Sequence, residues 1–203
     1  MFLNYNSSYL ERILEQMLDE GDSREVTRFL RAVDVRIDGF RVERAPEWRG
    51  QRVFVRHEVG GKAYELRLSE ESAGTQKLMG LAAYLMTALE RGGTVVVDEL
   101  DAKLHPKLLR YVILLFKDPE VNKSGAQLIF SSQDVSTMRN DVFRRDEIWF
   151  AARGEGEASQ LWSLADIHEA NGNLVSKNAA FDKQYLSGRY GADPYLTRIE
   201  EWD

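Results

Sequence analysis

The amino-acid sequence predicts an α/β protein in which a parallel sheet is flanked by helices, preceded by a small amino-terminal helical piece and a β-hairpin. Two observations carry this. Thr94-Val95-Val96-Val97 and Gln127-Leu128-Ile129-Phe130 are short apolar runs, the first of them β-branched, of the kind that forms strands buried on both faces of a parallel sheet. Each follows a stretch with helical spacing of its apolar residues, and helix alternating with apolar strand is the pattern of a parallel α/β core.

Taken in order, Ser8-Tyr9-Leu10-Glu11 has the spacing of a capping box, and Leu10, Ile13, Leu14, Met17 and Leu18 then share one helical face, so a first helix is expected to end near Gly21. Asp22 and Glu25 repeat the box ahead of a second short helix with Val26, Phe29, Leu30 and Val33 on its apolar side. From Asp34 the alternation becomes β-like through Val35, Ile37 and Phe40, then Val53 to Val55. A Gly60-Gly61 turn follows, with Tyr64, Leu66 and Leu68 beyond it, and the hairpin delivers the chain to residue 69. After Gly74, Leu78, Leu81, Ala82, Leu85 and Leu89 define a long helix that Gly92-Gly93 stops. Pro106 suits the first turn of another, with Leu109, Val112, Ile113 and Phe116 facing the core. Ile148 to Ala151 reads as a third buried strand, paired with Gln160 to Leu164 across a Gly154/Gly156 turn, and the tail from Asp166 reads as partly irregular. The organisation expected is a helical piece over residues 1–33 and one lobe over residues 34–203.

Composition narrows the function. The 203 residues are 43% hydrophobic and 30% charged, enough for one core of useful size. No apolar run approaches the roughly 20 residues of a membrane span, and the amino terminus lacks a basic-then-apolar signal pattern, so the cytoplasm is the expected compartment and no membrane partner is expected. With no cysteine and only His57, His105 and His168, thiolate and His-based zinc sites are not expected. A net charge of −6 argues against a general nucleic-acid coat. The local exception runs from Arg24 to Arg56, where nine arginines face five acids. It reads as a solvated face with local ion pairs or, less simply, as a nucleic-acid or partner surface.

Asp98-Glu99 follows the Thr94 to Val97 strand directly, placing two carboxylates at the carboxyl end of a parallel strand, where open α/β sheets bind ligands. The first acid is suited to hold Mg²⁺ and the second to take a proton from water; an ordinary acidic turn would look the same. Upstream, Glu71-Ser72-Ala73-Gly74-Thr75 opens the long helix, where free backbone N–H groups and the helix dipole favour an anion, although a plain cap has this form too. Downstream, Ser131-Ser132-Gln133-Asp134 puts polar residues at the same sheet edge.

The succession Ser72-Ala73-Gly74-Thr75-Gln76, helix, Val95-Val96-Val97-Asp98-Glu99, helix, Ile129-Phe130-Ser131-Ser132-Gln133-Asp134 resembles the signature motif, Walker B and switch loop of ABC-type ATPases. Glu71-Ser72-Ala73-Gly74-Thr75, Asp98-Glu99-Leu100-Asp101, Leu104-His105-Pro106 and Gly188-Arg189-Tyr190-Gly191-Ala192 resemble bacterial ATPases of the abortive-infection and RloC type, relatives of SMC and RecF heads. The likeness covers roughly residues 50 to 196. It implies a partial P-loop NTPase head with ATP and Mg²⁺ as cofactors. Asp98 would help bind the metal, and Glu99 would be the catalytic base. Ser72 and Gly74, with Thr75 in the same motif, would contact the γ-phosphate of ATP held by the opposite subunit. Gln133 would be the switch-loop residue, and Ala102-Lys103-Leu104-His105 would fall at the D-loop, with His105 read as the cap before Pro106.

Two departures qualify the resemblance. No Gly-x-x-x-x-Gly-Lys-Ser/Thr loop occurs, since Gly61-Lys62 lacks both the earlier glycine and a following hydroxyl residue. The main cradle for the β- and γ-phosphates is therefore missing, Met1 would begin inside an insertion, and a homodimer or a complementary Walker A-bearing lobe is the implied partner. Gln133 stands where the family carries histidine; it can donate a hydrogen bond but cannot become a cation. The expectation is an ATPase half-site, inactive alone. The alternatives are a catalytically silent regulatory or partner-binding module and, as the weakest, a metal-dependent nuclease built on Asp98, Glu99, Asp101 and His105. Phage defence, nuclease control and DNA or RNA maintenance are the outputs the resemblance leaves open, with nucleic acid reached through an associated domain or the Arg24–Arg56 stretch.

Overall fold

The computed structural model describes residues 23–33, 37–44, 51–153 and 158–192, and it divides into two compact units after Gln133. The expected first helix, Val35 and the Gly154/Gly156 turn lie outside the described residues.

The first unit opens with helix α1 (Ser23–Ala32). Val26, Phe29 and Leu30, with Val33 just beyond, are buried as their spacing predicts, and α1 packs on the long helix described below. Strands β1 (Gly39–Arg44), β2 (Gln51–Val59) and β3 (Lys62–Arg67) form an antiparallel sheet in that order. The register pairs Phe40 with Val55 and Val42 with Val53, and on the other side Val55 with Leu66 and His57 with Tyr64. The Gly60-Gly61 turn is as expected, with both φ angles positive at 59° and 75°. Val53 and Val55 are buried on one face. On the other, Arg41 lies 4.4 Å over the Phe54 ring and pairs with Glu65 at 2.8 Å.

A short 3₁₀ turn, Leu68–Glu70, leads into helix α2 (Ala73–Arg91), which buries Leu78, Leu81, Ala82, Leu85 and Leu89. Gly92, at φ 82°, ends it and donates to the Ala88 carbonyl at 2.7 Å. Strand β4 (Thr94–Val97) pairs in parallel with β5 (Gln127–Phe130), Val95 opposite Leu128 and Val97 opposite Phe130. Between them runs helix α3 (Pro106–Lys117), with Leu109, Val112 and Ile113 buried and Phe116 packed against Ala88, Leu89 and Ala126.

The expectation that both parallel strands are buried on both faces is corrected. In β4 only Val97 is fully buried, and Ile129 of β5 is 57% exposed. Among the described residues the pair forms a two-stranded sheet, so an apolar run long enough to be a strand is here covered on part of its surface only.

In the second unit, β6 (Trp149–Arg153) and β7 (Ser159–Ser163) pair antiparallel. The third strand thus pairs as expected with Gln160 to Leu164, in a sheet of its own, but it is not buried throughout: its burial alternates, with Phe150 inside and Trp149 57% exposed. Helix α4 (Phe181–Leu186) lies in the tail that reads as irregular. Ile148, Phe150, Leu164, Val175, Phe181 and Tyr190 form this unit's core. Phe150 stacks on Tyr185 at 5.8 Å, and Tyr190 fills the centre, its hydroxyl donating to Gln184 at 2.7 Å. The Gly188 to Ala192 segment thus serves packing, with positive φ at Gly188 and Gly191 turning the chain around the tyrosine.

Candidate functional site

The carboxyl edge of the β4–β5 pair gathers the acidic residues singled out in the sequence. Asp98 and Glu99 leave β4 while Ser131 leaves β5, and parallel pairing sets these exits side by side. The Ser131 hydroxyl donates to the Asp98 carboxylate and accepts from the Glu99 N–H at 2.8 Å. The two strands are also knitted past their ends, Ser131 N–H to the Val97 carbonyl at 3.1 Å and Leu100 N–H to the Ser131 carbonyl at 2.9 Å. Asp98 and Glu99 are exposed, while Leu100 turns back into the core at 0% exposure. Glu99 adopts a left-handed backbone, φ 48°, and so does Lys103, φ 64°. Such conformations are unfavourable for residues with a Cβ and persist where surrounding contacts over-determine them.

Asp101 joins the edge from below: its Oδ1 accepts from the Gln133 N–H at 3.2 Å. Gln133 is thus anchored through its backbone, with its residue exposed. His105 accepts from the Lys107 N–H at 3.1 Å through Nδ1, which makes it the cap of α3, as expected.

Ser72, Gly74 and Thr75 sit on the first turn of α2. Ser72 caps it, accepting from the Thr75 N–H at 3.1 Å, and the two hydroxyls hydrogen-bond each other at 2.8 Å. Glu71 is held by His57, Nε2 to Oε1 2.6 Å, with the carboxylate side chain 8% exposed; its carbonyl accepts from the Gln76 side chain at 2.8 Å. The turn meets the carboxylate loop at Gly74, where an added Cβ would stand 2.8 Å from the Lys103 carbonyl oxygen. The structure therefore links Asp98 and Glu99 to the end of β5 through Ser131 and Asp101 to Gln133 directly, and sets the Ser72–Thr75 turn against the same loop through Gly74.

Sequence reasoning missed two residues. Ser131 was visible as part of a polar turn, but nothing in the chain marks it as the link between Asp98 and Glu99. Lys77 is buried at 4% exposure, and its ammonium donates to the carbonyls of Glu99 and Ala102; a lysine beside the apolar stripe of α2 was the available signal.

The donor set fits Mg²⁺ in one respect. An exposed carboxylate held through one oxygen by a serine suits an ion that keeps most of its waters and takes one or two carboxylates plus phosphate oxygens. Among the described residues no group of three or more His, Cys, Asp or Glu side chains converges on a common point, and the Nδ1 of His105 is engaged as the cap. Among the described residues, Arg31 and Arg56 pair with Asp38, and Arg41 with Glu65 and Glu43. No helix among the described residues is long and apolar enough to cross a membrane.

Residues 3–139 match the family model described as "AAA domain, putative AbiEii toxin, Type IV TA system". No curated protein matches. Among solved structures, an SMC ATPase from work on ATP-driven dimerization and DNA-stimulated activation is similar over 78% of this chain and 89% of that chain, with a TM-score of 0.49 and 16% identity. The Pyrococcus furiosus Smc head domain bound to the C-terminal domain of ScpA is similar over 70% of this chain and 34% of that chain, with a TM-score of 0.45 and 19% identity. The Pyrococcus yayanosii Smc head with coiled coil and joint is similar over 74% of this chain and 27% of that one, with a TM-score of 0.49 and 17% identity. The chain thus spans 34% and 27% of the two Pyrococcus chains.

Proposed function

The chain belongs to this AAA-domain family, and from that premise we propose that it is a nucleotide-binding ATPase module supplying the signature, Walker B and switch-loop parts of an ABC-type head. Residues 34–203 would form the carboxy-terminal lobe of that head, working in the cytoplasm. A complementary lobe would bring the phosphate-binding loop that the sequence lacks, and a second such head would complete the dimer.

The single observation that supports this reading best is the Ser131 bridge, which ties the Asp98 carboxylate and the Glu99 backbone N–H to the end of β5 at the sheet edge. Asp98 would hold Mg²⁺, which supplies charge neutralisation for the phosphates when bound. Glu99, exposed beside it, would accept the proton of the attacking water. The α2 amino terminus would present Ser72, Gly74 and Thr75 to the γ-phosphate held by the opposite subunit. Gln133 would place an amide donor near the same phosphate, its backbone steadied by Asp101.

ATP turnover by the chain co-expressed with a Walker A-bearing lobe tests the proposal. Glu99→Gln is expected to lower turnover by about 10²- to 10⁴-fold, the range for removal of a general base. Equal turnover by the variant would discredit the assignment.

A second reading, a catalytically silent partner-binding module, is favoured by one observation: the Ser72 and Thr75 hydroxyls are engaged with each other as a cap, a role that needs no nucleotide. Dimerisation that ignores ATP and Mg²⁺ in sedimentation would support it over the first.

A further inference from the structure

A buried cation fastens α2 to the carboxylate loop. Lys77 lies one turn into the helix beside Leu78 and Leu81, and is 4% exposed. Its Nζ donates to the Glu99 carbonyl at 2.5 Å and the Ala102 carbonyl at 2.9 Å. Those carbonyls bracket the turn in which the Ala102 N–H itself donates to the Glu99 carbonyl at 3.1 Å. Burying an ammonium is costly unless it is well hydrogen-bonded, and an apolar side chain would pack there without that cost. The two carbonyls give the lysine a reason to be there.

Glu99 is thereby held on both sides of its left-handed backbone. The Ser131 hydroxyl accepts from its N–H, and Lys77 donates to its carbonyl. We infer that Lys77 is a positioning residue: it fixes the turn at Glu99, and so the aim of the Asp98–Glu99 pair, relative to the helix that begins with Ser72 and Gly74. The inference rests on the proposed ATPase only for its effect on turnover; the fastening itself needs no nucleotide.

Burial pushes the Lys77 ammonium down to about 8, against the opposing pull of the Asp101 and Glu99 charges and with a further push from Lys103. A neutral amine keeps two N–H donors, one for each carbonyl, so the fastening survives deprotonation.

The test is amide hydrogen exchange on the whole chain without nucleotide. Lys77→Met removes the donors and keeps most of the stem. It is expected to speed exchange at Leu100, Ala102 and Leu104 by about tenfold or more, while Leu81 to Leu89 are unchanged; Lys77→Arg recovers at least part of the protection. In a completed head Lys77→Met lowers kcat with KM altered less than about threefold. Unchanged exchange at the three amides in folded Lys77→Met overturns the inference, whatever the turnover assays give. If Lys77→Met does not fold, the wild-type chain labelled with ¹³C and ¹⁵N decides: coupling across the hydrogen bonds from Lys77 Nζ to the Glu99 and Ala102 carbonyl carbons supports the inference, and absence of both overturns it.

Discussion

Gly74 and Lys103 approach so closely that a methyl group on the glycine would stand 2.8 Å from the lysine's carbonyl oxygen. Alanine in a helix is ordinarily better than glycine by about 1 kcal/mol. Overlap with a backbone atom costs about 1–3 kcal/mol, and the loop yields poorly because Lys103 is already left-handed and its neighbour Ala102 is held by Lys77. Gly74→Ala is therefore expected to lose about 1 kcal/mol net in urea denaturation. A more stable variant would show that the loop moves aside freely.

Ser131→Ala should separate stability from function. The hydroxyl it removes is exposed, so water replaces it at the Asp98 carboxylate and the Glu99 N–H, and the expected loss in stability is below about 1 kcal/mol. With the Asp98 carboxylate and the Glu99 backbone no longer held by Ser131, turnover in a completed head should fall about tenfold, and Ser131→Thr should restore it. Turnover insensitive to Ser131→Ala would remove the bridge from the mechanism.

The His57–Glu71 contact should behave differently because it is sheltered, the carboxylate side chain being only 8% exposed. His57→Phe leaves that carboxylate without its ring partner and is expected to cost about 2 kcal/mol, with His57→Gln less damaging. A double-mutant cycle with Glu71→Gln measures the coupling; additivity would mean that the short contact contributes nothing of its own.

Tyr190 gives a pH prediction. Burial pushes its phenol up to about 12 from an ordinary value of 10.0. The folded chain holds this proton more tightly than the unfolded one, so the contribution is complete below pH 10 and declines as pH rises towards about 12. Stability measured across this window should fall less steeply in Tyr190→Phe, and the phenolate absorbance of the folded chain should show a late-titrating component that Tyr190→Phe removes. A parallel decline in the two proteins would assign the effect to other groups.

Local signals were legible in the sequence where the cause is local. Ser72 caps α2, Pro106 opens α3 and Gly60-Gly61 turns the hairpin because each depends on a few neighbouring backbone groups. Asp98, Glu99 and Gln133 could be placed at one sheet edge because parallel strands expose their carboxyl ends together. What covers a strand is not local, which is why Ile129 and Trp149 read as core yet are exposed, although the pairing of β6 with β7 was legible. Lys77 and Ser131 escaped because their partners lie 22 and 33 residues away. Tyr190 was noted as a motif letter, but its burial depends on packing within a tail that has little periodicity.

The crossover through α3 has a consequence for how this molecule comes into being. A nascent chain that stops short of residue 127 already carries both acids, yet nothing from β5 has arrived to pair with β4, and parallel pairing of this kind has to wait for the intervening helix. The Ser131 bridge to Asp98 and Glu99 therefore forms only after β5 has been made, and a break in the chain between the two strands would leave the acids on one piece and the serine that orients them on the other.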